Sequence, residues 1–456
     1  MFDTIAAIAT PHGTGAIAII RISGPDTLDI VRKIFRFNTR LSEIKPRYAY
    51  YGKIVDPFTN EVIDTGICLY YKQPKSYTGE DMAEICCHGG ILVSSRVLEA
   101  VLMSGARVAE AGEFTKRAFL NGKLDLVQAE AVNDLINSKT DLMLSMSNSL
   151  LIGEGSEKIK KLRNELLNIS AEIEVHIDYP EEDLEEENFE DIFQSLKNLY
   201  NDMKELLQNA DNGIILKNGI STVIVGKPNV GKSTLLNRLL REDRAIVTDV
   251  PGTTRDIIIE NLNIKGILLK VIDTAGIRES VDTVEKIGIE RTVQEIEKAD
   301  LILFVIDASE PLDENDLRII DLIKSKNHLV ILNKKDLDSK ISIESIKKLF
   351  NEEKNIVEIS ALKGEGLEKL ENAIYSKVKE MVKLDVKPVV MNSRQKVALE
   401  RSFSAIKEAL ENFELYPIDV VSISIRKGIE HLDELLGLKY SDDLLENIFK
   451  NFCVGK

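Results

Sequence analysis

Cysteine is scarce. The four that occur, Cys68, Cys86, Cys87 and Cys453, lack the paired spacing of a zinc site. Adjacent Cys86 and Cys87 make a poor disulfide, so a reducing compartment, the cytoplasm, is expected. Net positive charge is also lacking: 59 Lys and Arg stand against 75 Asp and Glu, a formal balance of −16. That balance favours solubility and argues against strong non-specific binding of polynucleotides. An RNA partner would have to be gripped by a local patch or reached through a second protein. Long apolar runs are missing too. The opening MFDTIAAIATPHGTGAIAIIRISG is broken at Pro11, His12, Gly13 and Arg21 and has no basic leader, so neither a signal peptide nor a membrane span is expected. The closing Cys453-Val-Gly-Lys has the cysteine of a prenylation box, but Gly455 and Lys456 do not fit one. No internal repeat is visible.

What is present is ordinary globular material, 44% hydrophobic and 29% charged, in a 456-residue chain long enough for two to four domains. Three textures follow one another. Residues 1–118 mix short β-rich runs (AIAIIRIS, GICLYY, AEICC) with a helical stretch near 91–104, an α+β pattern. Residues 119–217 show long helical periodicity, with Leu124, Val127, Ala131 and Leu135 on one face. The acidic run DYPEEDLEEENFED there reads as a solvated turn between helices rather than a metal site. Residues 218–377 alternate strands (STVIVG, IIIENLNI, GILLKVID, LILFVID, HLVILN, NIVEIS) with helices, as a doubly wound, mostly parallel sheet does. Residues 378–456 return to helix. The economical layout is an α/β domain inserted between two parts of one helical domain, with a separate C-terminal helical domain as the alternative.

Gly226 to Ser233 reads GKPNVGKS, between the strand-like STVIV and the helical TLLNRLL. A phosphate-binding loop requires that context. Its glycines let successive N–H groups turn toward phosphate oxygens, and the helix N-terminus adds a favourable dipole. Asn229, Val230, Gly231, Lys232, Ser233 and Thr234 are the expected contacts, with Lys232 reaching the β- and γ-phosphates and Ser233 ligating Mg²⁺. DTAG (Asp273, Thr274, Ala275, Gly276) follows LLKVI, placing Asp273 to hold the metal shell through water and the Gly276 N–H to meet the γ-phosphate. Asn333, Lys334 and Asp336 of NKKD follow HLVIL. A carboxylate there pairs with the N1–H and exocyclic amine of guanine, a donor pair that adenine does not present. Ser360 and Ala361 close over the base. Four motifs in this order predict a GTPase with GTP and GDP as ligands.

Between the phosphate loop and DTAG lies TDVPGTTRD. Thr248, Asp249, Val250, Pro251, Gly252 and Thr253 are expected at the nucleotide, and Thr254 in the Mg²⁺ shell only while the γ-phosphate is present. Ile277 stands where Ras-like enzymes carry the glutamine that orients water, and it cannot hydrogen-bond. Glu279, Asp282 and Glu285 are nearby acidic candidates for that work, with Arg255 and Arg278 as candidate charge stabilisers. Spacing alone does not choose between them.

The chain resembles the MnmE (TrmE) family of bacterial tRNA-modification GTPases along its whole length. The likeness includes DTIAAIATPHGTGAIAIIRISG, SYTGEDMAEICCHGG (76–90), GEFTKRAFLNGKLDLVQAEAVNDLI (112–136), the nucleotide motifs and the terminal FCVGK. The resemblance implies an N-terminal dimerising domain that binds 5-formyl-tetrahydrofolate or a related one-carbon folate, a helical domain and an inserted Ras-like G domain. It implies a homodimer working with the FAD-dependent partner MnmG, in a heterotetramer or larger complex, to add an aminomethyl or carboxymethylaminomethyl group at C5 of the wobble uridine of certain tRNAs. Folate contacts are implied at Arg21, Glu84, Lys123 and Lys456, with Cys453 near that site or merely buried. Activation by K⁺ as the G domains pair is implied as well, with Asn229, Thr248, Val250 and Thr253 as K⁺ ligands and Glu285 as the carboxylate that orients water.

Two other readings have distinct signatures. A ribosome-assembly switch would carry a second G domain or a basic C-terminal module with a GxxG loop, and neither is apparent. A folate-binding protein whose G domain only reports cellular state would leave wobble-uridine modification normal in cells that lack it.

Overall fold

A computed structural model of the chain describes residues 3–37, 44–178, 186–241, 259–272, 293–350, 355–382, 389 and 392–456. Two units separate within it. One takes Met1–Ile136, Ser149–Tyr200 and Ala398–Lys456, the other Asn137–Asn148 and Asn201–Val397.

Alternation governs the first unit. In IAIIRIS, Ala18, Ile20 and Ile22 are buried on one face while Arg21 lies on the other, the period of two that a strand imposes. The strands are β1 (Ile5–Ile8), β2 (Ile17–Ser23), β3 (Phe35–Phe37), β4 (Ala49–Val55), β5 (Val62–Tyr71), β6 (Met82–His88) and β7 (Arg107–Val108). They form one sheet in the order β3-β4-β5-β6-β2-β1-β7. All neighbours are antiparallel except β1 and β7. Helices α1 (Thr27–Ile34) and α2 (Ile91–Met103) supply Ile30, Val31, Ile34, Val97 and Val101 to a core shared with Ile20, Ile22, Ile54 and Ile85. Each such side chain contributes about 1.5–3 kcal/mol on burial.

A charged cluster sits beside this core. Arg117, 1% exposed on helix α3 (Glu113–Leu120), meets Glu113 at 2.8 Å, Asp3 at 3.0 Å and Glu80 at 3.2 Å. Arg107 adds a second guanidinium, 2.6 Å from both Asp3 and Glu113. Burial pushes the Glu113 carboxyl up, but hydrogen bonds from Arg107, the Glu110 N–H and Arg117 outweigh it and hold the group below the usual glutamate range.

Helices α4 (Leu126–Ile136), α5 (Asp141–Leu151), α6 (Glu154–Asp178) and α7 (Glu186–Asn218) follow. The α4 face predicted from periodicity is present, with Val127 and Ala131 fully buried. The acidic run is not simply a turn. Asp178 ends α6 and the run is helical again from Glu186, while 179–185 lie outside the described residues. Glutamate is a good helix former, and charge clustering alone does not stop a helix. Helix α6 packs on the later helix Ile418–Leu436, which Arg163 joins by an ion pair to Asp433. The helix Asp442–Phe449 places Leu445 and Phe449, with Phe452, against Phe119, Leu126 and Val132. Gly437 (φ 77°) permits that approach, since a Cβ there would stand 2.6 Å from the Leu126 Cβ.

The second unit holds β8 (Ile220–Val225), β9 (Ile259–Ile264), β10 (Ile267–Ile272), β11 (Leu301–Asp307), β12 (His328–Asn333) and β13 (Ile356–Glu358) in the order β13-β12-β11-β8-β10-β9. Only the β9–β10 pair among these is antiparallel. β11 and β12 are buried along their full length, as strands covered on both faces must be. The ends of β8, β11, β12 and β13 therefore emerge along one edge of the sheet, where a doubly wound fold binds its ligand.

Arg117→Ala would leave Glu113 and Glu80 without their buried cation. The expected cost is about 3–5 kcal/mol, measured as lost hydrogen-exchange protection in β2 and β6 under urea. Because the folded Glu113 pKa is depressed, its contribution is present above the unfolded value of about 4.3 and is lost as pH falls below it. Acid titration of that protection should follow this sign.

Candidate nucleotide site and N-terminal cavity

The phosphate loop begins where β8 ends. Gly226 (φ 148°) passes so close to β11 that a Cβ would stand 2.3 Å from the Val305 oxygen, and Gly231 (φ 101°) would bring one 2.2 Å from Asn333 Nδ2. Only glycine meets both demands. Asn229 takes a left-handed conformation (φ 62°), which asparagine tolerates better than most residues. Helix α8 (Lys232–Arg241) opens at the loop's end, with Ser233 and Thr234 exposed in its first turn. Lys232 Nζ donates across the loop to the oxygens of Gly226 (2.8 Å) and Lys227 (2.7 Å).

The base-recognition loops are bolted to the phosphate loop. Asn333, 2% exposed at the end of β12, donates from Nδ2 to the Val230 oxygen (2.8 Å), and its Oδ1 accepts from the Ala361 N–H (2.9 Å). Three loops following β8, β12 and β13 thus share one side chain. Asp336 Oδ1 accepts from the buried Ser360 hydroxyl at 2.6 Å. That hydrogen bond is the main cause holding the Asp336 carboxyl below the usual aspartate range. An ionised carboxylate with lone pairs to spare suits a pair of N–H donors on one base edge. Lys334 (φ 63°) meets Asp307, at the end of β11, at 2.5 Å. Burial raises the Asp307 carboxyl, but Lys334 and Ser309 outweigh it and keep it low.

Sequence reasoning missed a latch on the phosphate loop. Lys227 Nζ lies 2.8 Å from Asp316 and 3.0 Å from Asp313. These two aspartates form the capping box of the helix Glu314–Ile323, so one pair of carboxylates caps a helix and fixes the loop. Burial opposes the lysine charge, but the hydrogen bonds to Asp316 and Asp313 outweigh it and raise its pKa. The D-x-x-D spacing at 313–316 was a readable cap; its second partner was not.

Of the predicted site residues, Asn229, Val230, Gly231, Lys232, Ser233, Thr234, Asn333, Lys334, Asp336, Ser360 and Ala361 converge on this edge of the sheet. Thr248, Asp249, Val250, Pro251, Gly252, Thr253, Thr254, Asp273, Thr274, Ala275, Gly276 and Glu285 lie outside the described residues. The same holds for Ile277 and the other candidates Arg255, Arg278, Glu279 and Asp282. Among the described residues, no group of three or more His, Cys, Asp or Glu forms a metal site.

A second site lies in the first unit. Antiparallel register sets Arg21 of β2 opposite Glu84 of β6, and their side chains meet at 2.8 Å. Arg21 Nη1 also donates to the Gly455 oxygen at 3.0 Å, and Ala111 pairs with Val454, so the C-terminal segment is held on the N-terminal sheet. A cavity of about 500 Å³ opens here, and Arg21, Glu84, Lys123 and Lys456 all line it. Cys453 is exposed rather than buried. Tyr71, Tyr77 and Met82 add apolar surface to the cavity. The site therefore combines aromatic side chains with charged groups.

Residues 4–123 match the model of the GTP-binding protein TrmE N-terminus, and residues 126–453 match that of the MnmE helical domain. The tRNA modification GTPase MnmE of Thermotoga petrophila is 52% identical over 456 residues, covering all of both chains. The chain belongs to the MnmE family. The Thermotoga maritima relative of the same name is also 52% identical over the full length of both chains. That of Clostridioides difficile is 48% identical over 458 residues, all of this chain and 99% of that one. Among solved structures, Aquifex aeolicus Era bound to GDP and aluminium fluoride is 35% identical over 41% of this chain and 66% of that one, with a TM-score of 0.27. No helix among the described residues is long and apolar enough to cross a membrane.

The latch yields a direct test. Lys227→Ala and Asp316→Asn should each destabilise the unit and weaken guanine-nucleotide binding. A double-mutant cycle by chemical unfolding should show coupling of about 1–3 kcal/mol. Additive effects would mean that the pair does not hold the loop.

Proposed function

We propose that GTP hydrolysis by this tRNA-modification GTPase controls chemistry at C5 of a wobble uridine performed with the FAD-dependent partner MnmG. The observation that carries the hydrolase reading is Asn333, which ties the phosphate loop and both base loops into one guanine-nucleotide site. The tRNA role rests on full-length similarity to proteins named for it.

In this reading Lys232 turns its amine from the loop carbonyls to the β- and γ-phosphates, while the loop N–H groups and the α8 N-terminus hold the remaining oxygens. Asp336 accepts from guanine, and the stem of Lys334 covers the ring. Ser233, exposed in the first turn of α8, fits as a Mg²⁺ ligand together with Thr254. Asn229, exposed in the phosphate loop, fits as a K⁺ ligand, with Thr248, Val250 and Thr253 as further oxygens. When bound, the two cations offset the charge that develops on the phosphates. Glu285 orients the attacking water, the work that Ile277 cannot do.

The N-terminal cavity takes a one-carbon folate such as 5-formyl-tetrahydrofolate, with Arg21, Glu84, Lys123 and Lys456 as contacts. The active form is a cytoplasmic homodimer. A row across the sheet face opposite α1 and α2, Tyr51–Ile67–Cys86–Ile19 in register, supports the dimer, with Tyr51 58% and Ile67 40% exposed. A G domain inserted in the helical domain accords with one helical-domain match running across 126–453 and with the packing of α6 on Ile418–Leu436.

Hydrolysis by the purified chain should be about 10²-fold faster in KCl than in matched NaCl; equal rates would remove the cation role of Asn229. Glu285→Ala should retain GTP binding and lose about 10²-fold or more in turnover. An unimpaired rate in that variant would take Glu285 out of the mechanism.

A further inference from the structure

The N-terminal cavity is lined by five cationic side chains and one carboxylate, Glu84. Glu84 is already engaged by Arg21 at 2.8 Å. Lys456 lies half-buried close by, its amine pushed below the usual lysine value by burial first and then by Arg21. The other three cations, Arg47, Lys75 and Lys123, are exposed and form the rim. Two of them donate to backbone, Arg47 Nη2 to the Lys75 oxygen (3.0 Å) and Lys123 Nζ to the Pro74 oxygen (3.1 Å). None of the three is ion-paired to a carboxylate among the described residues.

The rim is a built feature. Arg47 stands in the left-handed region (φ 61°), and its N–H donates to the Tyr70 oxygen at 2.7 Å. Together with the Arg47–Lys75 contact, this ties the turn before β4 to the segment after β5. Cations of one sign held near one another without counter-charge raise the local potential and favour a ligand carrying several negative charges. A cavity of about 500 Å³ accommodates the ring system and linker of a folate. Whatever continues from that ligand must leave across the rim.

We infer, resting on the folate reading above, that Arg47, Lys75 and Lys123 receive the γ-linked glutamate chain of a polyglutamylated folate, so that the site selects its ligand by tail length. Each added glutamate brings one carboxylate to a rim that offers three cations. Exposed ion pairs are weak singly, and three acting together amount to about a tenfold gain in affinity. A nucleic-acid backbone is the other polyanion such cations attract. Three cations at one cavity of about 500 Å³, in a chain of net charge −16, favour a short carboxylate chain over an extended phosphate track.

The test is calorimetric titration of the full chain with 5-formyl-tetrahydrofolate as the monoglutamate and as the pentaglutamate. The pentaglutamate should bind about tenfold more tightly at low salt, and the advantage should shrink as salt rises. In R47A/K75A, where both replaced side chains are exposed, the two forms should bind within about twofold of each other. Equal binding of both forms to the unaltered chain would overturn the rim while leaving the folate site standing. Failure of both forms to bind would overturn the folate reading and the rim with it. If R47A/K75A instead loses tRNA binding and keeps its tail preference, the rim belongs to RNA and the inference fails.

Discussion

The carboxamide of Asn333 joins three loops that the chain makes far apart. Its nitrogen holds the phosphate loop at Val230, and its oxygen holds the closing loop at Ala361. Both partners are buried backbone groups, so losing the side chain would cost their desolvation as well as two hydrogen bonds. The loops after β8, β12 and β13 are consequently tied to one another. The contact also explains why position 231 is glycine, since any Cβ there would occupy the place of the Asn333 amide.

Charge is used differently in the two units. In the nucleotide unit, carboxylates position lysines of the binding loops: Asp313 and Asp316 hold Lys227, and Asp307 holds Lys334. Those pairs set loop geometry before any phosphate arrives and offset part of the positive charge meanwhile. In the N-terminal unit, Arg117 is spent internally on Asp3, Glu80 and Glu113, whereas the cavity is lined by more cations than carboxylates. The bound C-terminal segment makes that cavity complete, because Lys456 reaches it through the Gly455–Arg21 contact.

Much of this was legible in the sequence, for identifiable reasons. Glycine at fixed offsets between a strand and a helix, and a carboxylate after a buried strand, mark GKPNVGKS and NKKD as loops at strand ends, and the fold brings both to one edge of the sheet. Strand periodicity located β2, β5, β6 and the alternating strands of the second unit. The latch at Lys227 was not legible, because its partners lie 86 or more residues away and serve visibly only as a helix cap. Arg117 and Asp3 are 114 residues apart, and nothing local marks either one as buried. Arg21, Glu84, Lys123 and Lys456 look like ordinary surface charges until the fold brings them together. The acidic run does lie between two helices, but its second half, from Glu186, belongs to α7, because glutamate favours helix where charge clustering reads as a turn.

In the proposed function one preorganised site reads guanine through the Asp336 carboxylate, and base selectivity is the property that reports on it. Fluorescent GDP and XDP analogues titrated into Asp336→Asn should show the preference reversed, with the xanthine nucleotide binding about tenfold or more tightly than guanine, because the exchanged amide donates where the carboxylate accepted. An Asp336→Asn chain that still prefers guanine would contradict the account and place base recognition elsewhere.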